Sequence, residues 1–138
     1  MCTSSTLTVP TPDLLAGKRT LTVEDEGITQ MQLSKILSLA GMAHVGLAMN
    51  GPQGVALALE LKPELILLDI NMPGDYNGLE AARRILREIR TCIVILSAYA
   101  DCQEEAAAIG VHGYVVKPLD RAMLLIKIRE ALVRFEGS

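Results

Sequence analysis

Short apolar runs alternate with longer amphipathic runs along the chain from residue 18 onward. The runs Leu65–Leu68 and Ile93–Leu96 are apolar at every position, which is typical of parallel strands that are covered on both faces. In the longer runs, such as Ile28–Ala40, apolar residues recur at intervals of three and four, which predicts helices. Strand and helix therefore alternate, and the pair occurs five times.

This pattern predicts five strands and five helices. The predicted strands are Arg19–Val23, Ala43–Ala48, Leu65–Leu68, Cys92–Leu96 and Tyr114–Val116. The predicted helices are Ile28–Ala40, Pro52–Leu61, Leu79–Arg90, Gln103–Ile109 and Asp120–Phe135. Because a crossover between parallel strands of one sheet is right-handed, these units predict an α/β fold, a doubly wound five-stranded parallel sheet with helices on both faces.

The first 17 residues lack the alternating pattern. They are rich in Thr, Ser and Pro and end in Ala16-Gly17, which is typical of a flexible lead-in. The length of 138 residues fits one domain with one core, and we place that domain at residues 18–138. Since only Glu-Gly-Ser follows Phe135, we expect no effector domain in this chain. The sequence leaves two alternatives open, a stand-alone domain, which we favour, and a domain cut from a larger protein.

Composition and charge narrow the range of functions. The net charge is −3, and the aromatic residues are three tyrosines and one phenylalanine, so the sequence lacks the basic surface and the stacking platforms of nucleic-acid-binding proteins. The apolar runs fall far short of the ~20 residues that cross a bilayer, and we expect no membrane partner. The three cysteines form no C-x-x-C pattern, which favours the cytoplasm over an oxidising compartment.

Polar residues follow four of the predicted strands, at the same edge of the sheet. Glu24 and Asp25 follow the first strand, Asp69 the third, Ser97 the fourth and Lys117 the fifth. Each residue alone is explained as a helix cap or a loop residue. Because ligands of open parallel sheets bind beyond the carboxyl ends of the strands, the five residues together predict a site.

Three carboxylates at this edge would repel one another. At ~5 Å and an effective dielectric constant of ~20, each pair repels by roughly 3 kcal/mol, which a single lysine cannot offset. A hard divalent cation can, and a set of oxygen ligands that works beside phosphate suits Mg²⁺. A carboxylate beside Mg²⁺, with a hydroxyl and a lysine around it, has the parts for phosphoryl transfer onto aspartate.

At these residues the sequence resembles the receiver domains of two-component response regulators, over nearly all of residues 18–135. Five motifs carry the resemblance, in this order: Glu24-Asp25; Asp69 in Asp-Ile-Asn-Met-Pro, followed by Gly78-Leu79-Glu80; Ser97-Ala98; Tyr114 in Gly-Tyr-Val-Val; and Lys117-Pro118. The resemblance implies the flavodoxin-like strand order 2-1-3-4-5 and is strongest to stand-alone, chemotaxis-type regulators. Two features depart from the family: the loop Met72–Gly78 is one residue longer than is common, and Glu24 stands where Asp is more frequent.

The resemblance implies a set of roles at the acidic edge. Asp69 would accept a phosphoryl group from a histidine kinase or a histidine phosphotransfer protein. Asp25, Asp69 and the backbone carbonyl of Asn71 would bind Mg²⁺, the one cofactor implied, while Glu24 would act through water. The protein would not be an enzyme for other substrates, because it would catalyse only its own phosphorylation and dephosphorylation.

The resemblance also implies how the signal leaves the site. Ser97 and Lys117 would contact the phosphoryl oxygens, and Tyr114 would rotate inward as Ser97 moves. A downstream protein target or a second copy of the chain would then bind through helix 4, strand 5 and helix 5. We further predict a cis peptide before Pro118, because the turn must aim Lys117 back over the site.

The last predicted helix carries two apolar stripes. The broader stripe consists of Leu124, Leu125, Ile128, Ala131, Leu132 and Phe135. The second consists of Leu119, Ala122, Met123, Ile126 and Val133. One stripe must cover the sheet, and the other either packs against helix 1 or forms a partner surface. The sequence leaves both alternatives open.

Three other functions fit the sequence less well. Haloacid dehalogenase-type phosphatases place their nucleophile after the first strand as Asp-x-Asp and carry a cap, for which 138 residues leave no room. A flavin or nucleotide binder needs a phosphate cradle after strand 1, where this chain has three acidic residues. A degenerate receiver that is not phosphorylated would not require all five motifs.

Overall fold

A five-stranded parallel sheet forms the centre of the fold in a computed structural model, which describes residues 14–72 and 74–137. The strands are β1 (Arg19–Val23), β2 (Ala43–Ala48), β3 (Leu65–Asp69), β4 (Cys92–Ser97) and β5 (Gly113–Val116). All neighbouring pairs are parallel, in the order β2-β1-β3-β4-β5. The doubly wound fold and its predicted strand order are therefore confirmed.

Five helices connect and cover these strands: α1 (Gly27–Leu39), α2 (Gly51–Leu61), α3 (Gly78–Glu88), α4 (Gln103–Ile109) and α5 (Arg121–Glu136). α4 has the predicted bounds, and the other four helices differ from the predicted ones by at most two residues at an end, where caps decide the boundary. Asp120, for example, lies outside α5 because its side chain accepts a hydrogen bond from the amide of Met123, as an N-cap residue does. Within the described residues, no helix combines the length and the hydropathy needed to span a membrane.

Each face of the sheet has its own apolar core, because successive residues of a strand point to opposite faces. On the face that α1 and α5 cover, the buried apolar residues of β3 and β4 are Leu65, Leu67, Cys92, Val94 and Leu96. On the face that α2, α3 and α4 cover, the buried apolar residues of the same two strands are Ile66, Leu68, Ile93 and Ile95. Each fully buried Leu or Ile contributes about 1.5–3 kcal/mol, so both faces of the central strands hold the sheet in place.

The described part of the predicted lead-in belongs to the packed domain. Leu15 is fully buried in the core beneath α1 and α5, and Leu14 packs against the same cluster. The amide of Gly17 donates a hydrogen bond of 2.8 Å to the carbonyl of Gly41. The packed domain therefore includes residues before the predicted boundary at Lys18, and the flexible lead-in stays a prediction for residues 1–13, which lie outside the described residues.

The two stripes of α5 have different environments. In the broader stripe, Leu124, Ile128, Ala131 and Leu132 are buried in the core beneath the sheet. In the second stripe, Met123 is 48%, Ile126 47% and Val133 63% exposed. These three side chains face solvent, so packing against α1 does not account for them.

We predict that Leu15→Ala lowers the free energy of unfolding by about 2–5 kcal/mol, because it leaves a cavity in a packed core. Urea denaturation followed by circular dichroism measures the loss. The matched control is Leu39→Ala, since Leu39 is 61% exposed and should change stability by no more than about 0.5 kcal/mol. Equal effects of the two substitutions would show that residues before Lys18 add nothing to the core.

Candidate functional site

A depression of about 390 Å³ opens at the carboxyl ends of the central strands. The residues that line it are Glu24, Asp25, Glu26, Asp69, Asn71, Ala98 and Lys117. They lie at or just after the carboxyl ends of β1, β3, β4 and β5. In the parallel sheet these strand ends lie at a common edge. The fold therefore brings the polar residues that follow these strands to one place.

Three carboxylates form the floor of the depression. Glu24, Asp25 and Asp69 each offer an oxygen that lies within 4.8 Å of the other two. Glu24 and Asp69 are buried, while Asp25 is half-buried. The main chain holds Glu24 in place, because its amide donates a 2.9 Å hydrogen bond to the carbonyl of Ala48 at the end of β2. The buried carboxylates cannot move into water to escape their repulsion.

Lys117 supplies one positive charge to this cluster. Its Nζ lies 3.0 Å from Oε1 of Glu24 and 3.4 Å from Oδ2 of Asp69. The amide of Lys117 donates a 2.7 Å hydrogen bond to the carbonyl of Ser97, which fixes the end of β5 against the end of β4. The Lys117–Pro118 peptide is cis, as predicted.

The buried charges shift the ionisation of both partners. Burial raises the pKa of the Glu24 carboxyl to about 7, the hydrogen bond from Lys117 lowers it, and the charge of Asp69 raises it. Burial lowers the pKa of the Lys117 ammonium, but the hydrogen bonds and charges of Glu24 and Asp69 outweigh this, so the net shift is upward. The Glu24 carboxyl is therefore not fully ionised near neutral pH, despite its bond to Lys117.

The donor set of the depression fits Mg²⁺. Carboxylate oxygens from three residues within 4.8 Å of one another are the ligands that hard divalent cations prefer. The amide of Asn71 donates a 3.3 Å hydrogen bond to Oδ1 of Asp69, so the chain turns closely around Asp69. A divalent cation would also offset the charge of Asp69, which adds to the effect of burial in raising the pKa of Glu24.

Ser97 and Tyr114 meet at the main chain of Tyr99, in the loop between β4 and α4. The buried Ser97 hydroxyl accepts a 3.1 Å hydrogen bond from the Tyr99 amide. The Tyr114 hydroxyl donates a 2.6 Å hydrogen bond to the Tyr99 carbonyl. Sequence reasoning missed the part played by Tyr99, because main-chain groups leave no signal in the sequence.

The longer loop after Asp69 turns its aromatic residue away from the depression. The Tyr76 ring lies 4.0 Å beneath the Arg84 guanidinium and packs so closely on Gly51 that a Cβ there would lie 2.9 Å from the ring.

At Gly78, a Cβ would collide with the carbonyl of Asp69. Only glycine allows α3 to begin this close to the end of β3.

Two side chains of α1 support the acidic loop, and sequence reasoning missed both. The Gln30 side-chain amide donates a 2.6 Å hydrogen bond to the Glu24 carbonyl. The Thr29 hydroxyl donates a 2.5 Å hydrogen bond to Oε1 of Glu26. The one signal in the sequence is their position three and four residues after Glu26, at the start of a helix, where side chains often bond back to the preceding segment.

Comparisons with known proteins agree with this geometry. A family model described as the response regulator receiver domain matches residues 20–129. The transcriptional regulatory protein PdtaR of Mycobacterium tuberculosis is 36% identical over 133 residues, which cover 94% of this chain and 64% of PdtaR. The chemotaxis protein CheY of Thermotoga maritima is 35% identical over 105 residues, which cover 74% of this chain and 87% of CheY.

Solved structures show the same likeness. The response regulator domain of Thermotoga maritima CheB superimposes with a TM-score of 0.77 at 32% identity, covering 85% of this chain and 97% of that domain. A CheY-like receiver domain protein from Methanospirillum hungatei superimposes with a TM-score of 0.78 at 28% identity, covering 88% and 98% of the two chains.

We predict that the metal-free protein loses stability as the pH rises from 4.5 to about 7, the pKa values of the Glu24 carboxyl in the unfolded and the folded chain. Between these two pKa values the folded state keeps a proton on Glu24 that the unfolded chain has lost. The stability that this proton contributes is lost as the pH rises through the pKa of the folded state. The loss should be on the order of 3 kcal/mol, since one pKa unit corresponds to about 1.4 kcal/mol.

Chemical denaturation in EDTA measures this dependence, with Glu24→Gln as the reference. Burial lowers the pKa values of His44 and His112, and these groups change stability in the opposite direction with pH. The difference between wild type and Glu24→Gln is therefore the quantity to compare. If that difference stays constant across the window, the carboxyl of Glu24 titrates normally.

Proposed function

The chain belongs to the response regulator receiver domain family, and on that premise we propose that it is a phosphorylation switch whose acceptor is Asp69. The observation that carries the proposal is the cluster of three carboxylates within 4.8 Å of one another, with the Lys117 ammonium 3.4 Å from Asp69. The phosphoryl donor would be a histidine kinase or a histidine phosphotransfer protein.

In the proposed step, a carboxylate oxygen of Asp69 attacks the phosphorus of a phosphohistidine. The new oxygen–phosphorus bond forms while the phosphorus–nitrogen bond breaks, and the leaving imidazole nitrogen takes up a proton. Lys117 would interact with one phosphoryl oxygen, since its Nζ already lies beside Oδ2 of Asp69. Ser97, at the end of the adjacent strand β4, would donate its hydroxyl to another.

The same carboxylates would hold Mg²⁺ beside the phosphoryl group. Asp25, Asp69 and the backbone carbonyl of Asn71 would be its protein ligands, and Glu24 would act through water. When bound, the ion would neutralise charge that develops on the phosphoryl oxygens. The protein would thereby catalyse its own phosphorylation and dephosphorylation, and we propose no other substrate and no other cofactor.

A phosphoryl donor would approach over the start of α1. Ile28 and Met31 of this helix are 71% and 74% exposed, and Ile28 lines a second depression together with Lys117. Apolar side chains that border a polar site are typical of a protein-binding surface. Because the proposed donor is a protein, exposed apolar residues beside the acidic cluster support the proposal.

Phosphorylation would reach the surface through the two hydrogen bonds at Tyr99. If Ser97 turns its hydroxyl toward the phosphoryl group, it gives up its bond to the Tyr99 amide, and the loop that also holds Tyr114 is free to rearrange. Tyr114 would then rotate inward and reshape the face around β5. A change from mostly inactive to mostly active needs a differential affinity of about 10⁴, or about 5.5 kcal/mol.

The proposed output surface consists of α4, β5 and α5. Met123, Ile126 and Val133 of α5 are exposed there. The same elements carry charges of both signs: acidic residues in α4 and just before it, and basic residues in α5, namely Asp101, Glu104, Glu105, Arg121, Lys127 and Arg129. A surface with charges of both signs would suit either a downstream protein target or a second copy of the chain.

We predict that Asp69→Asn abolishes phosphorylation by acetyl phosphate or phosphoramidate, because Asn lacks the nucleophilic carboxylate. Wild type should gain one acid-stable, base-labile phosphoryl group, detected by intact mass, and EDTA should prevent the reaction. The control Asp75→Asn removes an exposed carboxylate of the same loop and should be labelled like wild type. Labelling of Asp69→Asn at the wild-type level would overturn the assignment.

We predict that Ile126→Asp abolishes phosphorylation-dependent association and leaves Asp69 labelling unchanged, because it places a charge in the centre of the proposed output surface. Size-exclusion chromatography with light scattering, with and without phosphoramidate and Mg²⁺, detects a self-dimer. A pull-down with phosphorylated and unphosphorylated bait detects other targets. Leu59→Asp, at an exposed apolar position of α2, is the control, and association that survives Ile126→Asp would place the output surface elsewhere.

A further inference from the structure

We propose that Gln30 is a positioning residue, which fixes the main chain between Glu24 and Asp25 and thereby sets the affinity of the acidic cluster for Mg²⁺. This inference rests on the proposed function, because it concerns the same cation. Gln30 itself contributes no carboxylate and would not contact the ion. It acts through the hydrogen bond from its side-chain amide to the Glu24 carbonyl, which is 2.6 Å long.

The contacts of Glu24 explain why this bond matters. Its amide is bonded to the Ala48 carbonyl, and its carboxylate accepts hydrogen bonds from the Lys117 ammonium and the Glu26 amide. The bond from Gln30 satisfies the remaining polar group, the carbonyl. Every hydrogen-bonding group of Glu24 therefore has a partner, and the residue is held from four sides.

Asp25 depends on this arrangement because it follows Glu24 directly. The peptide group that joins the two residues contains the carbonyl that Gln30 holds. Rotation of that peptide would swing the Asp25 carboxylate away from Asp69, although the two now offer oxygens within 4.8 Å of each other. Groups that orient metal ligands without touching the metal commonly change its affinity by about 10- to 100-fold.

Gln30 is well placed for this role because it belongs to a rigid element. It lies in the first turn of α1, where its own amide donates a 2.9 Å hydrogen bond to the Glu26 carbonyl. Thr29, its neighbour, is buried and bonds to the Glu26 side chain. The start of α1 thus holds both ends of the segment Glu24–Glu26, and Gln30 holds the end that carries the cation ligands.

Two substitutions separate positioning from charge. Gln30→Leu keeps much of the side-chain volume and removes the donor. Gln30→Glu keeps the shape, replaces the donor with an acceptor, and adds a negative charge that would by itself strengthen Mg²⁺ binding. If Gln30 acts by positioning, both variants should weaken Mg²⁺ binding by about tenfold, as measured by isothermal titration calorimetry. The controls are Gln32→Leu and Gln32→Glu, at an exposed position of the same helix.

A second measurement tests the physical cause without using cation binding. In EDTA, hydrogen exchange of the amides of residues 25–27 should be faster in Gln30→Leu than in wild type, while exchange in the second half of α1 stays unchanged. Faster exchange throughout α1 would instead show that the substitution loosens the helix, and would overturn the proposed role. Gln30→Asn, which keeps a shorter donor, should lie between wild type and Gln30→Leu in Mg²⁺ affinity.

The outcomes for Gln30 and for the proposed function differ. Wild-type Mg²⁺ affinity in both Gln30→Leu and Gln30→Glu would overturn the positioning role and leave phosphorylation of Asp69 untouched. Stronger binding by Gln30→Glu would show that charge, not geometry, controls the affinity at this position. Failure of the wild-type protein to bind Mg²⁺ or to accept a phosphoryl group would overturn the proposed function itself.

Discussion

The repulsion among Glu24, Asp25 and Asp69 is the interaction on which the rest of the site depends. At ~5 Å and an effective dielectric constant of ~20, each pair costs roughly 3 kcal/mol, and one lysine offsets only part of the total. The packing of two complete cores around the sheet supplies the stability that keeps these groups together. The charge that destabilises the metal-free fold is also what would make a divalent cation bind, so affinity and instability have one cause.

The parallel sheet explains why the charges lie at one edge. β3 and β4 are buried along their whole length, and a charged residue in their interior would lose its hydration without gaining a partner. In these two strands a charged side chain is tolerated only at the end of the strand, where another strand end supplies a partner, as Lys117 after β5 does for Asp69. Because all five strands run in the same direction, their carboxyl ends lie at one edge, and side chains at these ends lie close together.

The parts of the structure that could be predicted from the sequence are those that leave a pattern in side chains. Period and strand ends predicted the sheet and the acidic cluster, while the order of the strands was implied by the family resemblance. The burial of Leu15 could not be predicted in the same way, because a single apolar pair in a Thr- and Pro-rich segment has no periodicity. Gln30 and Tyr114 donate hydrogen bonds to main-chain carbonyls. Every residue has such a carbonyl, so the sequence does not indicate which one accepts the bond.

The unequal packing of the helices determines which element responds most readily to a change at the site. α3 buries five residues and is capped by the side chain of Asn77. α4 buries only Ala106, and Cys102 at its start makes no side-chain cap. Less apolar area must therefore be exposed to move α4, and segments with few buried contacts open at the lowest free energy. The loop before α4 carries the two hydrogen bonds at Tyr99, so the helix with the fewest buried residues is the one that this loop connects to Ser97 and Tyr114.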